Sequence, residues 1–155
     1  MRSTNVKQLK IRLFLYVNSE FKHSVNMKEI LNILLVEDNL LNQRLVTFSL
    51  KKYNHVVTIA NNGVEAVEKF REHKYDLVLM DIMMPVMDGL EATVKIREVE
   101  SSDNIDKRTP IIALTSNTMD NDRDKCLSYG MDDFMTKPFK IEKLKSIFNE
   151  LKILA

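Results

Sequence analysis

Four apolar residues in a row, Leu77-Val78-Leu79-Met80, run directly into Asp81. No other feature restricts the fold as much. An unbroken apolar run this short reads as a strand buried on both faces, the habit of a parallel sheet covered by helices. Turn-forming residues follow at once, Pro85 and Asp88-Gly89. Asp81 therefore stands at the carboxyl end of a central strand, the edge at which open α/β sheets bind ligands. Taken alone, a carboxylate there serves equally well as a cap for the following loop.

The same grammar recurs along the chain. Leu31 to Val36 is an apolar run, His55 to Ala60 is rich in β-branched residues, Pro110 to Thr115 holds Ile111-Ile112-Ala113-Leu114, and Asp133 to Thr136 is a short fifth strand. Between them lie segments of helical spacing: Asn39 to about Tyr53, Val64 to about His73, Leu90 to about Val99, Thr118 to about Tyr129 with Gly130 just past its end, and Ile141 to about Ile153. The polar stretch Glu100 to Thr109 reads as a loop. On the first helix Asn42, Leu45, Val46, Ser49 and Leu50 form a core-facing stripe, which leaves Leu40, Leu41 and Phe48 off it. Five strands alternating with five helices imply βαβ units and a flavodoxin-like, doubly wound five-stranded parallel sheet of order 2-1-3-4-5.

At 155 residues the chain suits one domain. We place it at residues 30–155, with residues 1–29 as a basic N-terminal extension or linker. A signal peptide is the functional alternative for that piece. Its apolar part is short and interrupted by Arg12, and no small-residue cleavage site follows. A net charge of +1 gives no bias toward nucleic acid or membrane, and no apolar run approaches the roughly 20 residues of a membrane span. The single Cys126 excludes an internal disulfide framework and fits a reducing, cytoplasmic setting. His23, His55 and His73 lack the spacing of a zinc site.

In a parallel sheet all the strand carboxyl ends share one edge. There the first strand delivers Glu37-Asp38, the third Asp81, the fourth Thr115-Ser116, and the fifth Lys137-Pro138. Three crowded carboxylates repel, and one takes up a proton unless a cation is present. Mg²⁺ answers that need, being held by carboxylates, waters and phosphate oxygens. A lysine and a hydroxyl suit a transferred phosphoryl group, and a carboxylate can be its nucleophile. The constellation reads as Asp81 attacking phosphorus, with Mg²⁺, Lys137 and Thr115 holding the product.

These residues carry a resemblance. Ile33-Leu34-Leu35-Val36-Glu37-Asp38-Asn39, Leu79-Met80-Asp81-Ile82-Met83-Met84-Pro85-Val86-Met87-Asp88-Gly89, Ile112-Ala113-Leu114-Thr115 and Lys137-Pro138-Phe139 together resemble the receiver domain of two-component response regulators. Val36-Glu37-Asp38-Asn39 with Asn42-Gln43, and the run Cys126 to Phe139, look most like receivers of hybrid sensor histidine kinases. The resemblance implies that Asp81 is the phosphoacceptor, taking its group from a phosphohistidine on a histidine kinase or histidine phosphotransfer protein. It implies that Asp38 binds Mg²⁺, that Glu37 assists through water, and that the Met83 backbone carbonyl is a further ligand. It places Lys137 on a phosphoryl oxygen, Pro138 after a cis peptide, Thr115 as a moving hydroxyl and Phe134 as a switch aromatic. Thr115 also suits a helix cap, and Phe134 also suits plain core. Met80, Met83, Met84 and Met87 read as core and loop packing rather than a soft-metal site. Exposed Leu40 and Leu41, near Pro138, suit docking of a helical partner.

Other classes fit less well. An aspartate-nucleophile phosphatase wants a second Asp two positions on, where Met83 stands. A flavin site wants a hydroxyl-rich loop where Glu37-Asp38 stand. A degenerate scaffold would not need the full acidic, Thr and Lys set. The expectation is thus a signalling module rather than an enzyme in its own right, with self-catalysed aspartyl phosphorylation and dephosphorylation only. Its phosphorylation-dependent surface falls at about Thr118 to Thr136, with dimerisation there an open question, and Asn117 and Met83 flank the site where water enters.

Overall fold

A computed structural model of the chain describes residues 30–103, 108–116, 120–151 and 153. The N-terminal extension and the positions Asn104, Asn117 and Thr118 lie outside the described residues. In chain order the elements are β1 (Asn32–Val36), α1 (Leu40–Lys51), β2 (Val56–Ala60), α2 (Gly63–Glu72), β3 (Leu77–Asp81), α3 (Gly89–Ser102), β4 (Ile111–Thr115), α4 (Asp120–Ser128), β5 (Asp133–Thr136) and α5 (Ile141–Glu150). The strands form one sheet in the order β2-β1-β3-β4-β5, every pair parallel. This is the doubly wound arrangement the alternation implies.

The central strands explain why their sequences lack alternation. In β3 and β4 every residue is buried. Leu34, Val36, Val78, Met80, Ile111 and Ala113 point to one face, where Ala66, Val67 and Phe70 of α2, Leu90 and Ile96 of α3, and Cys126 of α4 cover them. Ile33, Leu35, Leu77, Leu79, Ile112 and Leu114 point to the other, under Val46 and Leu50 of α1 and Leu144, Ile147 and Phe148 of α5. Side chains alternate across a strand, so a strand between two helical layers must be apolar at every position.

Helix starts follow local chemistry. Asn39 caps α1 by accepting from the Leu41 and Asn42 N–H groups at 2.9 and 3.1 Å. Asn62 and Asp88 do the same for α2 and α3. After α4 the chain turns through Gly130 at φ 98°, a backbone that favours glycine.

Three expectations need correction. The α3 helix runs to Ser102, so Glu100 to Ser102 are helical rather than loop. Glu100 is buried because it joins an ionic cluster at the amino end of the sheet: Arg97 Nη1 lies 2.7 Å from Glu100 Oε2 and Nη2 lies 2.8 Å from Asp132 Oδ2. On α1 the buried face is Gln43, Val46 and Leu50, while Leu45 is exposed. Finally, Met83 does not pack in the core; it is 80% exposed, whereas Met80 and Met84 are buried.

Candidate functional site

The carboxyl edge of the sheet assembles the acidic residues. Glu37 and Asp38 follow β1 and Asp81 ends β3, and β1 and β3 are direct neighbours with Val36 opposite Met80. Carboxylate oxygens of Glu37, Asp38 and Asp81 all lie within 4.8 Å of one another. Glu37 and Asp81 are buried and Asp38 is exposed, so the cluster opens to solvent on one side.

Lys137 reaches in from the β5 side. Its Nζ lies 2.7 Å from Asp81 Oδ2 and 2.8 Å from Glu37 Oε2. The main chain holds it there: Lys137 N–H donates to the Thr115 carbonyl at 2.7 Å, and the Lys137–Pro138 peptide is cis, as the resemblance implies. Asp81 Oδ1 accepts from the Met83 N–H at 3.2 Å, which ties the loop after β3 back to its last residue.

The charge balance is uneven, three carboxylates to one ammonium. Burial pushes the Asp81 carboxyl above its ordinary range and the Glu37 charge adds to this, while the Lys137 hydrogen bond works against it. For Lys137 burial pulls downward, but contact with Asp81 and Glu37 outweighs it and holds the ammonium above the usual lysine value. An all-oxygen donor set with surplus negative charge and one solvent-facing side fits a hard divalent cation such as Mg²⁺. The Met80 thioether does not join it, being sealed in the core.

Thr115 ends β4, buried, and lines a cavity of about 270 Å³ with Ile82, Met83, Leu90, Ser116, Lys125 and Cys126. Phe134 on β5 is half-buried and packs against the core layer formed by α2, α3 and α4. Leu40 and Leu41 are 66% and 75% exposed. The α1 residues that line a crevice with Pro138 and Phe139 are Asn42, Leu45 and Val46.

Sequence reasoning missed two site residues. Asn42 Nδ2 donates to Glu37 Oε1 at 3.1 Å, and Gln43 Nε2 donates to the Glu37 main-chain carbonyl at 2.6 Å. The available signal was a pair of amides one helical turn past Glu37-Asp38. The loop after β3 also has a strict spatial demand. A Cβ on Gly89 would collide with the Asp81 carbonyl oxygen and lie 2.9 Å from Met80 Cγ, so the backbone passes directly behind the central aspartate.

The fold and the cluster together define a class: a doubly wound α/β domain presenting an aspartate, two further carboxylates and a lysine at one sheet edge. The chain belongs to the response regulator receiver domain family, whose pattern matches residues 33–149. It is 47% identical over 120 residues to hybrid signal transduction histidine kinase B of Dictyostelium discoideum, covering 73% of this chain and 6% of that protein. Among solved structures it is similar to the receiver domain of a Pseudomonas aeruginosa sensor histidine kinase, PA1611, with a magnesium ion in its active-site cleft (TM-score 0.69, 41% identity, 78% of this chain and 96% of that one). It is also similar to the receiver domain of the Saccharomyces cerevisiae response regulator Ssk1, in a complex with the histidine phosphotransfer protein Ypd1 (TM-score 0.71, 33% identity, 78% and 88% covered). The chain thus spans most of each receiver domain and only a small part of the kinase.

Proposed function

We propose that this domain, residues 30–155, relays a phosphoryl group by accepting it from a partner phosphohistidine onto Asp81. The observation that supports this most is the cluster itself: three carboxylates within 4.8 Å with Lys137 Nζ bridging two of them. An Asp81 carboxylate oxygen attacks phosphorus, the P–N bond to the donor imidazole breaks, and the leaving imidazole keeps the electron pair. Asp38 and Asp81, with the Met83 carbonyl, would hold Mg²⁺ and Glu37 would assist. Bound there, the cation supplies neutralisation of the phosphoryl oxygens. Lys137 can pass from the carboxylate to a phosphoryl oxygen, and the Thr115 hydroxyl can donate to another.

In this reading the domain is a signalling switch, not an enzyme in its own right, and its chemistry is limited to gaining and losing the phosphoryl group. Its partner is a histidine kinase or histidine phosphotransfer protein, docking over Leu40, Leu41 and Pro138. Thr115 and Phe134 carry the change outward to the α4–β5 side, where a phosphorylation-dependent dimer would form. A cytoplasmic setting, without direct nucleic-acid binding, fits this role. Among the described residues no helix is long and apolar enough to cross a membrane.

The test is transfer from a phosphorylated histidine phosphotransfer protein in Mg²⁺. Wild type should take up the label and Asp81→Asn should not. Leu40→Glu with Leu41→Glu should slow this transfer far more than labelling by acetyl phosphate; equal slowing in both would remove the docking role. Label persisting in Asp81→Asn would remove the phosphoacceptor assignment.

A further inference from the structure

Glu37 is gripped at both its main chain and its side chain by amides. Oε1 accepts from the Asn39 N–H at 3.2 Å and from Asn42 Nδ2 at 3.1 Å. Its main-chain carbonyl accepts from Gln43 Nε2 at 2.6 Å, and that same nitrogen donates to Asn61 Oδ1 at 3.0 Å. Asn61 is fixed in turn by Glu65, whose carboxylate accepts from its N–H at 3.1 Å and from Nδ2 at 3.0 and 3.2 Å. Gln43 is only 5% exposed, so its bond to the Glu37 carbonyl forms where water does not compete. Glu37 Oε2 is the oxygen left over. It lies 2.8 Å from Lys137 Nζ yet has no well-aligned hydrogen bond.

We propose that Asn42 and Gln43 are positioning residues for cation binding at the Glu37, Asp38 and Asp81 cluster. Asn42 occupies Oε1, so that Oε2 alone faces the cation. Gln43 ties the end of β1 to the turn after β2, fixing the backbone that presents Glu37 and Asp38. An amide suits this task because it donates without adding positive charge, and so leaves the surplus negative charge for the cation. The mutual repulsion of the carboxylates would otherwise spread them, and binding would have to supply the ordering. The inference rests on the reading of this cluster as a Mg²⁺ site.

Mg²⁺ titration of the full chain, followed by amide NMR shifts, tests it alongside the metal-free melting temperature. Asn42→Ala and Gln43→Ala should each weaken Mg²⁺ binding about tenfold, the scale seen when groups behind metal ligands are removed. Val46→Ala is the control: it opens a cavity under the same helix, so it should lower the melting temperature and leave Mg²⁺ affinity within about twofold. Asn42 is half-buried and makes one side-chain bond to Glu37, so we expect its truncation to keep the fold, which protects the test should Gln43→Ala unfold. Unchanged affinity in Asn42→Ala, or losses no greater than that of Val46→Ala, would overturn the positioning role. Failure of wild type to bind Mg²⁺ would overturn the site reading itself, and the positioning role with it.

Discussion

Neutralising Asp81 should make the metal-free protein more stable. Carboxylate oxygens in the cluster lie within 4.8 Å of one another. Two unit charges at that separation repel by about 3.5 kcal/mol at an effective dielectric of 20. Lys137, at 2.7 and 2.8 Å, offsets the larger part of this for Asp81 and Glu37. Burial then adds its own penalty, which is why the Asp81 carboxyl sits above its ordinary range. Asp81→Asn removes the charge and keeps an oxygen for the Met83 N–H, so we expect a gain on the order of 1 kcal/mol, or about 4 °C in melting temperature. The pH dependence has a definite sign. An acid whose folded pKa is raised favours the folded state fully below its unfolded value and loses that contribution as pH rises through the folded value. The gain of Asp81→Asn should therefore vanish below the ordinary aspartate range and grow as pH rises through the raised folded value. Mg²⁺ should reverse the order, adding about 1.4 kcal/mol to wild type at ten times its dissociation constant and much less to the variant. Calorimetry across pH, with and without Mg²⁺, reads all three effects. A metal-free Asp81→Asn protein less stable than wild type at pH 7 would refute the electrostatic reasoning.

Three further substitutions probe the scaffold. Gly89→Ala should cost at least about 2 kcal/mol and slow phosphoryl uptake, because its Cβ meets the Asp81 carbonyl and Met80 Cγ; denaturant melts and a labelling time course check both effects. Arg97→Met should be among the most damaging changes, about 3–5 kcal/mol by urea unfolding, since it removes the cation beside the buried Glu100, whose remaining partner is the Thr109 N–H, and leaves Asp132 with the Ile111 N–H and the more exposed Arg108. Val86→Gly should raise the melting temperature by a degree or more, because Val86 is held at φ 73° in a three-residue turn closed by the Met87 N–H and the Pro85 carbonyl, a conformation a β-branched residue adopts only under strain.

Much of this fold is legible where physics acts locally. The unbroken apolar runs of β3 and β4 are visible because both faces of those strands are covered, and the strand order brings Glu37, Asp38, Asp81 and Lys137 to one edge. What escapes the sequence depends on distant partners. Glu100 reads as loop because its letter is polar; it is helical and buried because Arg97 and the Thr109 N–H meet it. Leu45 reads as core but is exposed, while Gln43 is buried, since the Glu37 carbonyl and Asn61 satisfy both hydrogens of its amide. Val86 carries no glycine or asparagine signal for its left-handed backbone.

Phosphoryl transfer onto Asp81 within a cation-dependent carboxylate cluster, as proposed, would leave an acyl phosphate on this side chain. Intact-mass analysis after incubation with acetyl phosphate tests it most directly, with and without Mg²⁺. We expect one added phosphoryl group that requires Mg²⁺, is released by hydroxylamine as an acyl phosphate must be, and is absent from Asp81→Asn. A phosphoryl group that forms without Mg²⁺, resists hydroxylamine or persists in Asp81→Asn would contradict it.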